Sequence, residues 1–439
     1  MTYRTILGIC CFIAVYYICS PAMLLLLLIS GTLASWFTWP KQSLRTSIAC
    51  CFLITLYGLV PVKEAFAITI SHPVVLLVVG CALAKLIVKN DIHLAISQTL
   101  VTQFRPKTEL SLVILMLFVS SFLSMWISNT SVVAMLIPVT MSLSESLQIP
   151  CVRLLISIAY GATIGGMLTP IGTPANLVAV AYAQRYFNLQ IDFMMWFSYA
   201  LPFVSLLLCF VCLYFWYATS KRQLTITQSS YQISPAQKRL MIALSTCIIL
   251  WATQTAPFGG WARMLGVSIQ EEWIGLFILA LCSQVEYNKR RAFTLSDLAT
   301  LPFSSIAMVV AGIFIAEGMM QQGVVVKAMN YFIQGQWLYN YQALALFGFV
   351  MSSITELCSN TAVASLGLPL SEVMMRLSHL EVIPCIFLIT LSAHSAVMLP
   401  TATPPNALVL GTGKVTAKQL ISVGLITSVA SLGILVFIL

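Results

Sequence analysis

Residues 122–138 read FLSMWISNTSVVAMLIP, a polar tripeptide between two apolar runs. The arrangement recurs at residues 356–369, ELCSNTAVASLGLP, so Ser128-Asn129-Thr130 has a second copy in Ser359-Asn360-Thr361. The flanking apolar runs, 110–127 with 131–143 and 341–358 with 362–377, are mostly too short for a bilayer core of about 30 Å, which takes ~20 residues. Two half-length helices that meet at a polar tip predict a re-entrant hairpin, because such a tip is tolerated only inside protein or beside water.

Each predicted hairpin is followed by a long apolar segment that a proline-rich stretch interrupts. The interruptions read LTPIGTPAN at residues 168–176 and LPTATPPN at residues 399–406. Proline and glycine at this density break a helix. Asn176 follows Asn129 by 47 positions and Asn406 follows Asn360 by 46, so the chain repeats with an offset of about 230. A duplicated pair of discontinuous helices indicates the binding site of a transporter.

The composition requires a membrane. Apolar residues make up 59% of the 439 residues and charged residues only 8%, against roughly 25% charged in a soluble domain. The 13 cysteines fall mostly inside apolar runs, without CxxC or zinc-ligand spacing, and are interpreted as small apolar side chains. The net charge of +9 is interpreted as cytoplasmic loop charge rather than a nucleic-acid surface. We therefore predict an all-α polytopic membrane protein.

The positions of the cations predict the topology. With a cytoplasmic N-terminus, a first hairpin entering from inside and a second from outside, 16 of the 22 Lys and Arg residues lie on the cytoplasmic side and five outside, with Lys85 near a membrane end. This arrangement obeys the positive-inside rule. It predicts about 11 crossings, an outside C-terminus and two repeats of inverted orientation.

The two broken apolar segments, at about residues 154–182 and 382–411, contain no Lys or Arg that could bind an anion. They offer helix N-termini instead, whose free N–H groups and positive dipole favour a carboxylate. The four predicted half-helices begin after Thr130, Asn176, Thr361 and Asn406. Freed carbonyls and side-chain oxygens suit a small cation such as Na⁺; the candidate side chains are Ser128, Asn129, Thr355 and Asn360.

Each motif has a simpler interpretation when taken alone. A single Ser-Asn-Thr is usually a helix cap or a glycosylation sequon, and a proline-rich break is often a kink. Two copies in matching context favour a site. The intramembrane acids Glu317 and Glu356 are candidates for a proton relay. Glu356 lies one turn before the second tip, so a supporting role near the cation site is the alternative for it, whereas Glu317 has no matching acid in the first half and is interpreted as a packing or cavity residue. The four histidines are scattered and receive no role.

These motifs resemble the divalent anion/sodium symporter family, which includes Na⁺-coupled dicarboxylate and citrate transporters. The most specific stretches are residues 122–138, 164–178, 356–369 and 397–409. The resemblance implies a homodimer in which a scaffold domain forms the dimer contact and a transport domain carries the site across the membrane as an elevator. The predicted scaffold helices span residues 1–104 and 193–335, and a final transmembrane helix spans 414–439. The first transport repeat spans 105–192, with its hairpin at 108–144 and its broken helix at 152–183. The second transport repeat spans 336–413, with its hairpin at 338–378 and its broken helix at 382–411.

The resemblance also implies individual ligands. The first Na⁺ site would use Ser124, Ser128, Asn129 and Gly172, and the second would use Thr355, Asn360 and Ala402. The substrate carboxylates would meet Asn129, Thr130, Thr173, Pro174, Asn360, Thr361, Thr403 and Pro404. The first loop departs from the family's Pro-Pro-Asn, since Ala175 stands at its second proline.

The sequence thus predicts a secondary transporter in the cell inner membrane that couples Na⁺ entry to uptake of a C4-dicarboxylate such as succinate, malate or fumarate. Citrate or sulfate as the substrate, and Na⁺-independent carboxylate exchange, stay open as alternatives. A channel or a membrane-embedded enzyme is disfavoured, since no nucleophile–base pair or HExxH ligand set lies in a span.

Overall fold

The structure is a computed structural model. It describes residues 20–39, 42–219, 223–224, 232–254, 260–267, 269–324, 327, 341–357, 359–378, 381–399 and 403–438. These residues are mostly helical, which confirms the predicted helical membrane fold. The sequence also predicts a retained apolar helix at about residues 5–19. This span and the predicted sodium ligand Ala402 lie outside the described residues.

The first helices precede the first hairpin. They are α1 (Pro21–Thr38), α2 (Ser43–Leu56), α3 (Val62–Thr69), α4 (His72–Lys89) and α5 (Ile92–Phe104). Ser20 caps α1 by accepting a hydrogen bond from the Met23 N–H, and a proline follows at the first helical position, where its missing N–H costs nothing.

The first repeat consists of α6 (Glu109–Ser124), α7 (Asn129–Leu147), α8 (Cys151–Gly165) and α9 (Pro174–Phe187). The helices break at the two polar stretches that the sequence identifies, at residues 125–128 and 166–173. The second hairpin arm, α7, is longer than the predicted run of 131–143. With 19 residues it is long enough, by length and composition alone, to cross a membrane.

The middle of the chain holds a long helix and several shorter elements. These are α10 (Phe193–Ala218), α11 (Pro235–Ala252), α12 (Trp261–Met264), α13 (Glu271–Cys282), β1 (Glu286–Tyr287), β2 (Arg290–Arg291), α14 (Leu295–Leu298) and α15 (Phe303–Gln321). The sequence predicts an apolar segment over residues 272–287, but helix α13 ends at Cys282 and a small hairpin of β1 and β2 follows it. Its turn residues Asn288 and Lys289 have φ of 52° and 61°, as a tight two-residue turn requires.

The second repeat consists of α16 (Tyr341–Thr355), α17 (Asn360–Gly367), a 3₁₀ turn (Leu368–Leu370), α18 (Ser371–Ser378), α19 (Val382–Ala393) and α20 (Pro404–Gly411). The final helix is α21 (Ala417–Ile438). The second hairpin arm is divided at Pro369 by the 3₁₀ turn, whereas the equivalent Pro138 of the first arm lies inside the continuous helix α7. The two repeats therefore differ in their second arms, although both arms carry the proline.

The outer surface of the bundle is apolar. Large apolar side chains stay exposed in the folded chain, including Leu213 at 64% and Phe437 at 85%. Among the described residues, five helical segments are long and apolar enough to cross a bilayer: Val62–Lys89, Asn129–Leu147, Phe193–Ala218, Phe303–Gln321 and Ala417–Ile438. Such a surface is stable in lipid but not in water.

The helices of the two repeats pack in the same pattern. In each repeat the first hairpin arm packs against the first half of the broken helix, α6 on α8 and α16 on α19. The second half of each broken helix packs against the other repeat's hairpin, α20 on α7 and α9 on α17. This exchange brings both tips and both loops to the centre, while α4 and α15 pack against α9 from the predicted scaffold.

Candidate functional site

The first polar tip is a hydroxyl–amide pair. Asn129 is the first residue of α7, and the Ser124 hydroxyl donates to its Oδ1 at 2.6 Å. A Cβ on Gly166 would lie 2.4 Å from the same oxygen. Glycine at position 166 therefore lets the first broken-helix loop reach the tip.

The first loop is held by its own polar groups. Asn176 Nδ2 donates to the carbonyls of Gly166 at 3.1 Å and Thr169 at 2.8 Å. The Thr169 hydroxyl donates to the Met125 carbonyl at 2.6 Å and accepts from the Gly172 N–H at 3.1 Å. These bonds fasten the loop to the hairpin tip and satisfy backbone groups that the helix break leaves free.

The second tip repeats this geometry. The Thr355 hydroxyl lies 3.0 Å from Asn360 Oδ1, and Thr355 precedes that asparagine by five residues, as Ser124 precedes Asn129. Asn406 Nδ2 donates to the carbonyls of Val397 at 3.0 Å and Leu399 at 3.2 Å. The duplication that the sequence predicts is therefore matched by duplicated hydrogen bonds.

Glu356 anchors the second loop. Its carboxylate accepts from the backbone N–H groups of Val397, Met398 and Leu399 at 3.2, 3.0 and 2.8 Å, and from the Ser428 hydroxyl at 3.3 Å. Glu356 is buried, so these donors compensate a charge removed from water. Glu356 thus joins the second loop to the second tip, as the Thr169 hydroxyl joins the first loop to the first tip at Met125. Its predicted supporting role near the cation site stays a prediction.

His394 lies where the two repeats meet. Its ring is fully buried, with Nε2 2.7 Å from Asn176 Oδ1 and 2.9 Å from the Thr173 hydroxyl, and Nδ1 3.2 Å from Asn360 Nδ2. The sequence interpretation missed this residue because it treated the histidines as scattered. The available signal was position, since His394 alone among the four lies within a predicted broken helix.

The structure places the other predicted ligands in different ways. The Ser128 hydroxyl caps α7 and lies 2.8 Å from the Ser131 hydroxyl. Gly172 packs against Gly166, whose carbonyl oxygen lies 2.4 Å from the position of a Cβ on Gly172. Thr403 is buried, and its hydroxyl has no partner among the described residues.

A helix begins directly after each tip and each loop. The half-helices begin at Asn129, Pro174, Asn360 and Pro404, two or three residues earlier than predicted. Thr130 and Thr361 are therefore the second residues of α7 and α17. Free N–H groups at these ends favour a bound carboxylate.

A charged cluster lies away from the tips. Arg185 of α9 contacts Glu64 at 2.8 Å and also pairs with Glu317 of α15. Tyr186 and Gln321 donate to the same Glu317 carboxylate. Glu317 thus joins α9 to α15 and, through Arg185, to α3. It has an ion-pair partner that the sequence interpretation did not assign.

Known proteins match almost the whole chain. The family model CitMHS, described as citrate transporter, matches residues 22–392. A Haemophilus influenzae protein described as an uncharacterized transporter is 25% identical over 402 residues, 88% of this chain and 85% of that protein. The Staphylococcus saprophyticus sodium-dependent dicarboxylate transporter SdcS is 24% identical over 431 residues, 92% of this chain and 82% of that protein. The crystal structure of the Alcanivorax borkumensis YdaH transporter has a similar fold, with a TM-score of 0.60 at 15% identity over 95% of this chain and 97% of that chain.

Proposed function

We propose that this chain, which belongs to the citrate transporter family CitMHS, couples Na⁺ entry to uptake of a C4-dicarboxylate. The family and the relatives are membrane transporters, so the chain is a membrane transporter and not an enzyme. The predicted resemblance to the divalent anion/sodium symporters is confirmed. The choice of Na⁺ and of succinate, malate or fumarate is the proposal.

The observation that carries the proposal is the pair of equivalent tips. At the second tip the Thr355 hydroxyl lies 2.6 Å from the Ala393 carbonyl and 3.0 Å from Asn360 Oδ1. A hydroxyl carries one proton, so one of these close oxygen pairs has no hydrogen between its atoms. Three neutral oxygens that converge in this way suit a hard cation. The first tip offers Ser124 and Asn129 in the same relation.

The anion would be bound by dipoles and by the cations. The N-termini of α7, α9 and α17 lie close together, because Asn129 and Thr173 both approach Gly166 and the His394 ring contacts both Thr173 and Asn360. With the N-terminus of α20 they would supply N–H donors for carboxylates. Bound Na⁺ at the two tips would supply the positive charge that the broken helices lack. Cation and anion binding are then coupled electrostatically, because each lowers the cost of burying the other.

The name of the staphylococcal relatives, sodium-dependent dicarboxylate transporter, supports both Na⁺ and a dicarboxylate. The proposal includes a homodimer in the plasma membrane, with a cytoplasmic N-terminus, in which the transport repeats move as an elevator against the scaffold. The inverted orientation of the repeats and the count of about 11 crossings belong to the same proposal.

The test is uptake of radiolabelled succinate into proteoliposomes that contain the purified full chain. We expect an inward Na⁺ gradient to drive accumulation, and an equal K⁺ gradient to drive none. Equal uptake with and without the Na⁺ gradient, in liposomes that contain no internal substrate, would refute the coupling of uptake to Na⁺. Stimulation by internal succinate in Na⁺-free buffer would identify an exchanger instead.

Citrate is the second candidate substrate, because the matching family model is described as citrate transporter. Uptake of labelled citrate and succinate under one Na⁺ gradient compares the two directly. Preferred uptake of citrate would replace the dicarboxylate while keeping the coupling proposal.

A further inference from the structure

His394 connects the first repeat to the second tip, and the hydrogen bonds determine which ring nitrogen carries the proton. Asn176 Nδ2 donates to two backbone carbonyls, those of Gly166 and Thr169. Its Oδ1 must therefore face the ring as an acceptor, 2.7 Å from His394 Nε2. A close contact to an acceptor requires a donor, so Nε2 carries the N–H.

This tautomer determines the orientation of Asn360. A neutral imidazole has one N–H, so Nδ1 accepts, and the group 3.2 Å away must be the Asn360 amide nitrogen. Asn360 Oδ1 then points the other way, toward the Thr355 hydroxyl at 3.0 Å. The carbonyls of the first loop thus determine, through Asn176 and His394, which end of the Asn360 amide faces Thr355.

The second loop has no such donor among the described residues. Thr403 and Asn406 correspond to Thr173 and Asn176, yet Thr403 Oγ1 and Asn406 Oδ1 are buried without a partner in the described part of the chain. The bridge is therefore asymmetric and runs from the first loop to the second tip. A protonated Nε2 has no lone pair, so the Thr173 hydroxyl can only share the Nε2 N–H as a second acceptor beside Asn176 Oδ1. The Thr173 hydroxyl proton is then not used in this contact and can be donated to a ligand.

We propose that His394 is a positioning residue, which holds Asn360 with its amide oxygen toward Thr355 and thereby forms the second cation site. The inference rests on the proposed function, since it assigns the cause of the geometry at one of the proposed Na⁺ sites. Without the ring acceptor the Asn360 amide can flip, because nothing then distinguishes its two orientations. In one orientation Oδ1 faces the cation site, and in the other the Nδ2 group faces it and repels a cation.

Two substitutions separate the two ring nitrogens. His394→Asn places an amide oxygen near the position of Nδ1 and keeps an acceptor for Asn360. His394→Gln places its amide near the position of Nε2 and keeps the donor for Asn176. Both are neutral and polar, so a general loss of packing would affect them alike.

The first measurement is the Na⁺ concentration that gives half-maximal succinate uptake. We expect His394→Gln to raise it about fivefold, the factor that one net hydrogen bond supplies. We expect His394→Asn to leave it within about twofold of wild type while lowering the maximal rate, because the Asn176 and Thr173 contacts are lost. An unchanged value in His394→Gln, or equal increases in both variants, would overturn the proposal.

The second measurement needs no transport. Thermal unfolding in detergent gives a double-mutant cycle between position 394 and its partners. We expect Asn360→Ala to cost less stability in the His394→Gln background than in wild type, and Asn176→Ala to cost the same in both. Additivity of both pairs would disprove the bridge. A wild type without Na⁺-driven uptake would refute the proposed function, and the cycle would still decide whether the bridge exists.

Discussion

Asn129 and Asn360 are the side chains on which the proposed site depends. Each begins a half-helix and each lies beside a hydroxyl five residues earlier in the chain. Asn360 has a second side-chain contact, with the ring of His394, which Asn129 lacks among its described hydrogen bonds. The two tips therefore share a ligand pattern but differ in the side chains that hold the asparagine. A substitution at His394 should disturb Asn360 directly, whereas no equivalent contact of Asn129 is among the described hydrogen bonds.

We expect Asn129→Ala and Asn360→Ala each to abolish Na⁺-coupled uptake while leaving the protein folded. An ion ligand of this kind contributes on the order of 1.5–3 kcal/mol, which corresponds to roughly 10- to 150-fold in affinity. Uptake and thermal unfolding are measured together. Ser353→Ala is the control, because this exposed hydroxyl of α16 donates to the Phe349 carbonyl of its own helix and has no other partner in the part of the chain that the structure describes. Normal uptake by both asparagine variants would remove these residues from the site.

Glu356 predicts a stability effect at the second loop. In Glu356→Gln one acceptor oxygen becomes a donor that faces backbone N–H groups, so we expect the free energy of unfolding to fall by roughly 1.5–3 kcal/mol. The thermal unfolding midpoint in detergent is the measurement. The matched control is Glu286→Gln at an exposed position, which should leave the unfolding midpoint unchanged. Equal midpoints for the two variants would contradict the anchoring role.

The helices show why the hairpins could be predicted and their partners could not. Polar tripeptides and prolines mark breaks because they leave backbone groups free, and this local effect is visible in the sequence. The exchange of partners between repeats, α9 on α17 and α20 on α7, depends on contacts between residues more than a hundred positions apart. Hydropathy also cannot identify the glycines at which two helices approach closely, because it assigns the same value to a buried and an exposed glycine.

Helix α21 offers a direct test of such an approach. A Cβ on Gly424 would lie 2.2 Å from the Met398 Cα and 2.6 Å from the Val397 carbonyl oxygen, whereas one on Gly433 would meet no described atom within 4 Å. We expect Gly424→Ala to destabilise the protein by about 1–3 kcal/mol, because the neighbouring atoms are backbone. Gly433→Ala in the same helix should be neutral or slightly stabilising. Thermal unfolding compares the pair, and a tolerant Gly424 would show that α21 does not pack tightly on the second loop.

For the molecule as a whole, the proposed elevator requires the transport repeats to slide past the scaffold. The two predicted parts touch where Gly80 of α4 meets Ile171 of the first loop. A Cβ on Gly80 would lie 3.4 Å from the Ile171 Cβ, close to the spacing of about 3.5–4.5 Å in disulfides. Arg185 and Glu317 join α9 to α15 across the same predicted boundary.

A disulfide at this contact should stop transport. In a background without the native cysteines, we expect oxidised Gly80→Cys/Ile171→Cys to lose uptake almost completely and to regain it on reduction. Each single cysteine variant, treated with the same oxidant, is the control for chemical damage. Full uptake by the cross-linked protein would show that α4 and the first loop do not move apart during transport.

The sequence by itself determined that the chain lies in a membrane, that it contains a duplicated pair of polar breaks, and which family it resembles. Those properties depend on composition and on local backbone chemistry, which are readable residue by residue. The tertiary structure alone decided that His394 bridges Asn176 and Asn360, that Glu356 binds the second loop, and that Glu317 pairs with Arg185. Such partners are distant in sequence, and a side chain's hydrogen bonds follow from where the helices bring it rather than from its neighbours in the chain.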